Sequence, residues 1–488
     1  MQYQVINRII QYRRFICLIH LFVCILLYCL LNFFVLDRES SFVYMQYFGY
    51  YSIAVFVTLL LSELRYPGID LFMIFIGFSF LRLLLPTLTM AEEGLKGETF
   101  MFHRNFTDYV FPCVVGMNIY YALFILLLTQ FSKDKMLSIK MDAIEYIPHK
   151  RLFIFLIYII GFLVRLIPSY ISFMDTLRSY MSLFPTLALL IYAFIASKND
   201  SKKDSVLFSF LIVIEILYAV FFGFYKGAVV RPFIFYLMYY YLKIKKTGGS
   251  LFTPRFVLSV VFFTLFLFFF IYPFIEIKRN ESGWDPATDI TYYDYSNVDI
   301  FERVIKGDYE IDKEEQQSGM ADRQNAIPTN AYFYMAALKD GYQSKIVKSS
   351  LTIPIPRWLG GKYGLEDNQG YLTNAYLHQG NYYISPFGIQ NSAYIGLFGG
   401  VFFWGGWFAV IFMCAFNSWF IPKLLSIAMN NIKNPFALLI LFHILMESLA
   451  CFEETSDGGI NRIKTYGIFL IISIIYNKLI LRRGLIIK

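Results

Sequence analysis

The residues FVLSVVFFTLFLFFFIYPFI, at 256–275, carry no charge, and at Glu276 they give way at once to EIKRNESGWDP. Twenty apolar residues at ~1.5 Å each make a helix of about 30 Å, the thickness of a bilayer's hydrocarbon core. The run therefore reads as a membrane span and Glu276 as the point where the chain leaves the lipid. The polar chain beyond it is long, reaching about Gln390 before the next apolar run opens near 391. Everywhere else the sequence alternates apolar runs with short polar joints. The chain has 488 residues, 57% of them hydrophobic and 16% charged, against roughly 25% charged in soluble domains. No soluble interior is large enough for so many apolar runs, so the expected architecture is an all-α, polytopic integral membrane protein.

Across the whole chain, hydropathy places twelve spans at about 15–36, 43–61, 69–90, 109–130, 152–168, 180–197, 205–223, 228–242, 256–275, 391–421, 435–451 and 465–481. The tenth is long enough to tilt or to begin outside the membrane. The chain thus divides into an N-terminal bundle of nine spans (1–275), the long polar segment (276–390) and three C-terminal spans (391–488). Met1 to Arg14 is polar and basic and the run after it has no small-residue cleavage site, so the first span is expected to stay in the protein.

Charge sets the orientation. With the N-terminus in the cytoplasm, the inner joints carry twenty-two lysines and arginines and the short outer joints eight. That asymmetry predicts both termini cytoplasmic and the long segment extracytoplasmic. The net charge of +8 belongs to these joints and is no nucleic-acid signal. The long segment has 16 acidic and 11 basic residues, so it is not a polybasic lipid-binding tail. Its stretch Asn330 to Lys339, with Ala and Met, reads as helical; Pro354, Pro356 and paired glycines break the chain after it. Short helices that re-enter or lie along the outer surface are expected. None of the six cysteines falls in this segment, which leaves it no disulfide framework and no thiolate metal site.

Ionisable residues inside spans are expensive and are usually retained for a reason. Arg82, Arg165, Glu215, His443 and Glu447 are of this kind, and each reads equally as an intramembrane pair or a functional group; Arg82 with Glu215 is one such pairing. In Phe224-Tyr-Lys226-Gly-Ala-Val-Val-Arg231-Pro232, two cations sit on the outer side, against the topology rule, beside a glycine. Arg grips a lipid diphosphate bidentately and Lys as a point charge, although both also snorkel to headgroups. Arg323, Arg357 and Lys362 form a second cationic set, with Arg279 just past the ninth span. Pro354 and Pro356 restrict the backbone before Arg357, and Gly360-Gly361 permits a turn after it. His378, near the tenth span, is a candidate base for a sugar hydroxyl. Asp37, Glu39 and the Glu453-Glu454…Asp457 group are alternative bases or cation sites. There is no Walker A loop, HExxH, GxSxG or Asp-x-Asp pattern, so neither ATP nor a nucleotide-sugar site is indicated.

The late outer loop, its Ile353-Pro-Ile-Pro-Arg357-Trp-Leu-Gly-Gly-Lys362 stretch and the glycine-rich start of the next span, Tyr394-Ile-Gly396-Leu-Phe-Gly399-Gly400, resemble the O-antigen polymerase family. Phe224 to Arg231 looks like that family's basic outer joint. The resemblance implies a GT-C-type, metal-independent glycosyltransferase without cofactor in the bacterial inner membrane. It would move a growing glycan from undecaprenyl diphosphate onto a lipid-linked repeat unit. It also implies Arg231, Arg323 and Arg357 on the diphosphate, Lys226, Lys362, Arg165 and Arg279 assisting, and His378 as base. Membrane lipids, a chain-length regulator and a flippase are the implied partners. The alternatives are a flippase or transporter of a lipid-linked oligosaccharide, an O-antigen ligase, or a non-catalytic assembly partner that binds exported polysaccharide. His378 lies far upstream of Gly396 and Gly399 for the ligase pattern.

Overall fold

The computed structural model describes residues 2–33, 38–62, 105–131, 150–166, 181–199, 202–222, 226–247, 254–271, 282–285, 290–293, 297–307, 327–342 and 397–430, with a few isolated positions besides. In chain order these form α1 (Gln2–Phe33), α2 (Arg38–Leu61), α3 (Val110–Phe131, entered through a 3-10 turn at Thr107–Tyr109), α4 (Lys150–Leu166), α5 (Phe184–Asn199), α6 (Lys202–Phe222), α7 (Lys226–Thr247) and α8 (Pro254–Phe266). A π-helical turn, Leu267–Ile271, carries α8 to the end of its span. Then come β1 (Ser282–Asp285), β2 (Ile290–Tyr293), α9 (Asn297–Lys306), α10 (Ile327–Asp340) and α11 (Leu397–Asn430).

Six helical segments are long and apolar enough to cross a bilayer: Asn7–Phe33, Ser41–Leu59, Thr107–Thr129, Lys202–Phe221, Leu258–Ile275 and Phe398–Phe420. They coincide with the expected first, second, fourth, seventh, ninth and tenth spans. The expected fifth and sixth spans are helices of 17 and 16 residues, α4 and α5. The eighth is α7, whose charged ends dilute its hydropathy and which holds Pro232 inside it. The expected third and eleventh spans lie outside the described residues, as does most of the twelfth. One departure from an all-helical reading is the antiparallel hairpin β1–β2, with Trp284 opposite Thr291 and Gly283 opposite Tyr292. Its sequences, SGWD and ITYY, hold the aromatic and β-branched residues that suit a pleated ribbon.

The helices pack in two sets. In the first, α3 is central, with α1, α2, α10 and α11 against it; in the second, α5 packs on α4, α6 and α7. The ends of the first set can be told apart by their polar contacts. At one end Arg13 of α1 donates to Ser62 just after α2 (2.7 Å), and Arg14 donates to Thr129 near the end of α3. At the other end Tyr28 of α1 meets Tyr334 of α10. Arg13 and Tyr28 are separated by about 22 Å of helix axis. Helix α10, which belongs to the long polar segment, therefore sits at the end of the bundle opposite the N-terminus. The alternation is the one that short joints between antiparallel spans demand.

Helix α9 is amphipathic. Ile300 and Val304 are buried against Ile271, Phe274 and Ile275 at the end of the α8 span, and Phe301 meets the Phe270 ring at 5.2 Å. Val298 and Ile305 stay exposed beside it, while Glu302 and Lys306 pair one turn apart on the polar side. This division into one apolar and one polar face is the kind that suits an interfacial helix.

Candidate functional site

Among the described residues of the long segment, α10 is the part that enters the bundle. Pro328 sits in its first turn, where the missing N–H is no loss, and Ala331, Ala336 and Ala337 favour helix. Gly341, at φ +82°, terminates it in the left-handed conformation that a glycine adopts without strain. From Asn330 to Ala337 every residue is buried, so the helix is enclosed on all sides rather than resting one face on a surface.

Close approach to α11 makes that enclosure possible. A Cβ on Gly399 would stand 2.7 Å from both Cα and O of Asn330, so only glycine fits there. The Gly399 N–H, an orphan donor in the first turn of α11, is satisfied by Asn330 Oδ1 at 2.6 Å. The glycine-rich start of the tenth span is thus a docking seat for the polar segment. Six positions on, α11 breaks its helical backbone at Gly405 and Gly406. Gly406 has φ +61° and the Tyr342 ring lies against it. Tyr342 comes directly after α10, so the same short stretch that ends α10 also packs on the kink.

A hydroxyl chain closes the site. The Tyr28 and Tyr334 oxygens are 2.6 Å apart, and the indole N–H of Trp407 donates to Tyr28 at 3.1 Å. Burial, reinforced by the Tyr28 phenol, pushes the Tyr334 phenol far above its ordinary range, so it acts as a neutral hydrogen-bonding group. Lys339, in the last turn of α10, lies 5.3 Å over the Tyr109 ring and also complements the helix's C-terminal dipole.

In the second set of helices, Arg165 is fully engaged. Its Nη1 donates to both oxygens of Glu215 (3.0 and 2.8 Å), its Nε and Nη2 to the Ser182 carbonyl (3.0 and 2.9 Å), and its guanidinium lies 5.2 Å over Tyr218. The pair ties α4 to α6 and to the turn before α5. Glu215's partner is therefore Arg165; Arg82 lies outside the described residues. Lys226 and Arg231 open α7, with Arg231 directly before Pro232; their backbone is helical, and their side chains are outside the described set. Arg279, Arg323, Arg357, Lys362, His378, Asp37, His443, Glu447 and the Glu453–Asp457 group also lie outside the described residues.

Sequence reasoning passed over one cluster. Arg13, Cys17, His20 and Cys24 recur at helical spacing along α1, and all four are buried. The His20 Nε2–H donates to Asn118 Oδ1 (3.2 Å) and the Tyr51 hydroxyl lies 3.4 Å from Nδ1, joining α1, α2 and α3. The signal was available: a stripe of polar and small residues at i, i+4, i+7 and i+11 in a run otherwise filled by Leu, Ile and Phe. Among the described residues, no group of three His, Cys, Asp or Glu side chains comes together in a way that would hold a metal.

No family model matches the chain, and no curated protein or solved structure matches it.

Proposed function

We propose that this protein polymerises lipid-linked oligosaccharide repeat units at the outer face of a bacterial cytoplasmic membrane. The reading takes twelve spans with both termini in the cytoplasm, a GT-C-type bundle, and the 276–390 segment outside. The observation that carries it is the seating of α10: a segment too polar for the bilayer holds a helix that is buried from Asn330 to Ala337 at the end of the bundle away from the N-terminus. Arg323 stands four residues before Ile327 in the sequence, directly upstream of the anchored helix. Among the described residues, the buried side chains of α10 join one apolar cluster with those of α1, α3 and α11.

In the proposed reaction, the terminal sugar hydroxyl of an incoming repeat unit attacks the anomeric carbon of the glycan held on undecaprenyl diphosphate. His378 takes the hydroxyl proton as the new C–O bond forms. The old C–O bond breaks with its electron pair going to the diphosphate. Arg231, Arg323 and Arg357, helped by Lys226, Lys362 and Arg279, bind the leaving group. Their contacts strengthen as it gains charge, which lowers the barrier instead of only tightening substrate binding. Arg165, already committed to Glu215, acts as a positioning residue for this end of α4. No metal or cofactor is called for, because the donor is already activated. A flippase and a chain-length regulator are the expected partners.

The test is surface-glycan length in cells carrying Arg323→Ala or Arg357→Ala at normal protein levels. Collapse of the ladder to single repeat units, with Lys substitutions failing as well, is the expected result. Loss of single units too would point to a flippase or a ligase, and an unchanged ladder would remove these arginines from the site.

A further inference from the structure

A narrow apolar slot of about 260 Å³ runs between α4 and α6 over α5. Ile159 and Phe162 on α4 and Leu207 and Ile214 on α6 wall it, and Phe155 and Phe210, both exposed, flank its open side. Arg151 stands at one end. From Arg151 to Phe162 the slot runs along about 16 Å of helix axis, close to the depth of one leaflet of a ~30 Å hydrocarbon core.

The charged end is built, not incidental. Helices α4 and α6 both begin there, at Lys150 and Lys202, so both present the positive end of the helix dipole. Lys202 and Lys203 are exposed. Arg151 is held in place by Asp204 (3.0 Å), which is 2% exposed and also accepts from the Tyr192 hydroxyl at 3.3 Å, while the arginine itself stays 62% exposed. A cation held by a buried carboxylate thus stands at the end of a hydrocarbon slot one leaflet deep, on the side where both helices begin and where Lys202 and Lys203 lie exposed in the first turn of α6. We propose that this slot holds one acyl chain of an anionic phospholipid, with the headgroup phosphate on Arg151, Lys202 and Lys203. The occupant is a resident lipid of the leaflet that meets the N-terminal ends of α4 and α6. It is independent of the glycan reaction, because the charged mouth lies about 21 Å along α4 from Arg165.

The experiment is native mass spectrometry of the full-length protein released from mixed micelles of phosphatidylglycerol and phosphatidylethanolamine. Wild-type protein should retain one phosphatidylglycerol at least fivefold more often than one phosphatidylethanolamine. Ile214→Trp, which fills the slot, should abolish the retained lipid without lowering the melting temperature. Lys202→Gln/Lys203→Gln, at exposed positions that leave the packing alone, should keep a bound lipid but erase the preference for phosphatidylglycerol. Retention of phosphatidylglycerol by the slot-filled protein, an unchanged preference in the lysine variant, or no retained lipid on the wild type, as when another part of the chain fills the slot, would each overturn the assignment.

Discussion

Arg165 and Glu215 sit where the bilayer offers little water to replace a lost partner. Removing either one leaves the other charge stranded, and stranding a buried charge costs about 3–5 kcal/mol. Arg165→Met and Glu215→Leu should therefore each lower the melting temperature of the purified protein clearly, and the double variant should recover most of the loss. A double variant as unstable as the sum of the two singles would show that the pair does not hold α4 to α6. At this scale the sequence is half legible. An arginine and a glutamate inside apolar runs announce themselves, because hydrocarbon tolerates so few of them. Their pairing does not, because the partners are 50 positions apart and only the packing of α4 and α6 on α5 brings them together. The same holds for His20: its residue type was plain in the sequence, but its tie to Asn118, 98 positions on, is a product of folding.

At the scale of the element, the seat of α10 on α11 depends on one missing methyl group. Gly399→Ala would drive a Cβ into the Asn330 backbone, and overpacking of this kind costs about 1–3 kcal/mol. The expected outcome is faster proteolytic cleavage within the 276–390 segment while the spans stay intact; equal cleavage rates would mean that α10 is held by something else. Asn330→Ala should weaken the seat less, by about 1 kcal/mol, through the lost hydrogen bond to the Gly399 N–H. The helical character of Asn330–Lys339 was readable from its Ala and Met content. The burial of Asn330–Ala337 was not, because Tyr332, Tyr334 and Asn330 belong equally well to a surface helix until their partners are known. Likewise, the glycines near 399 entered the sequence reading only through a family resemblance, and the contact with Asn330 supplies a physical reason for Gly399. The β1–β2 hairpin was missed because four-residue strands give too short an alternation to stand out.

For the molecule as a whole, the separation of Arg13 and Arg14 from Tyr28 along α1 puts α10 and the N-terminus at opposite ends of the bundle. The orientation we propose from the positive-inside asymmetry, with the N-terminus in the cytoplasm, can be tested directly. A cysteine placed at Glu302 on α9 should react with a membrane-impermeant maleimide added outside intact cells, whereas one at Lys202 should react only after the membrane is opened. The reverse pattern would invert the protein and remove the site from the outer face. Of the twelve expected spans, six are long apolar helices among the described residues, because apolar runs extend over many residues and average out local ambiguity. The chemistry was the least legible: the proposed cations lie in joints about a hundred residues apart, and such distances leave no spacing to read. The most direct test of the catalytic account is to reconstitute the purified protein in sealed vesicles with a single lipid-diphosphate-linked repeat unit and no nucleotide. The account predicts a ladder of lengthened glycans and one free undecaprenyl diphosphate for each linkage formed. Unlengthened substrate that instead crosses to the other leaflet would contradict it.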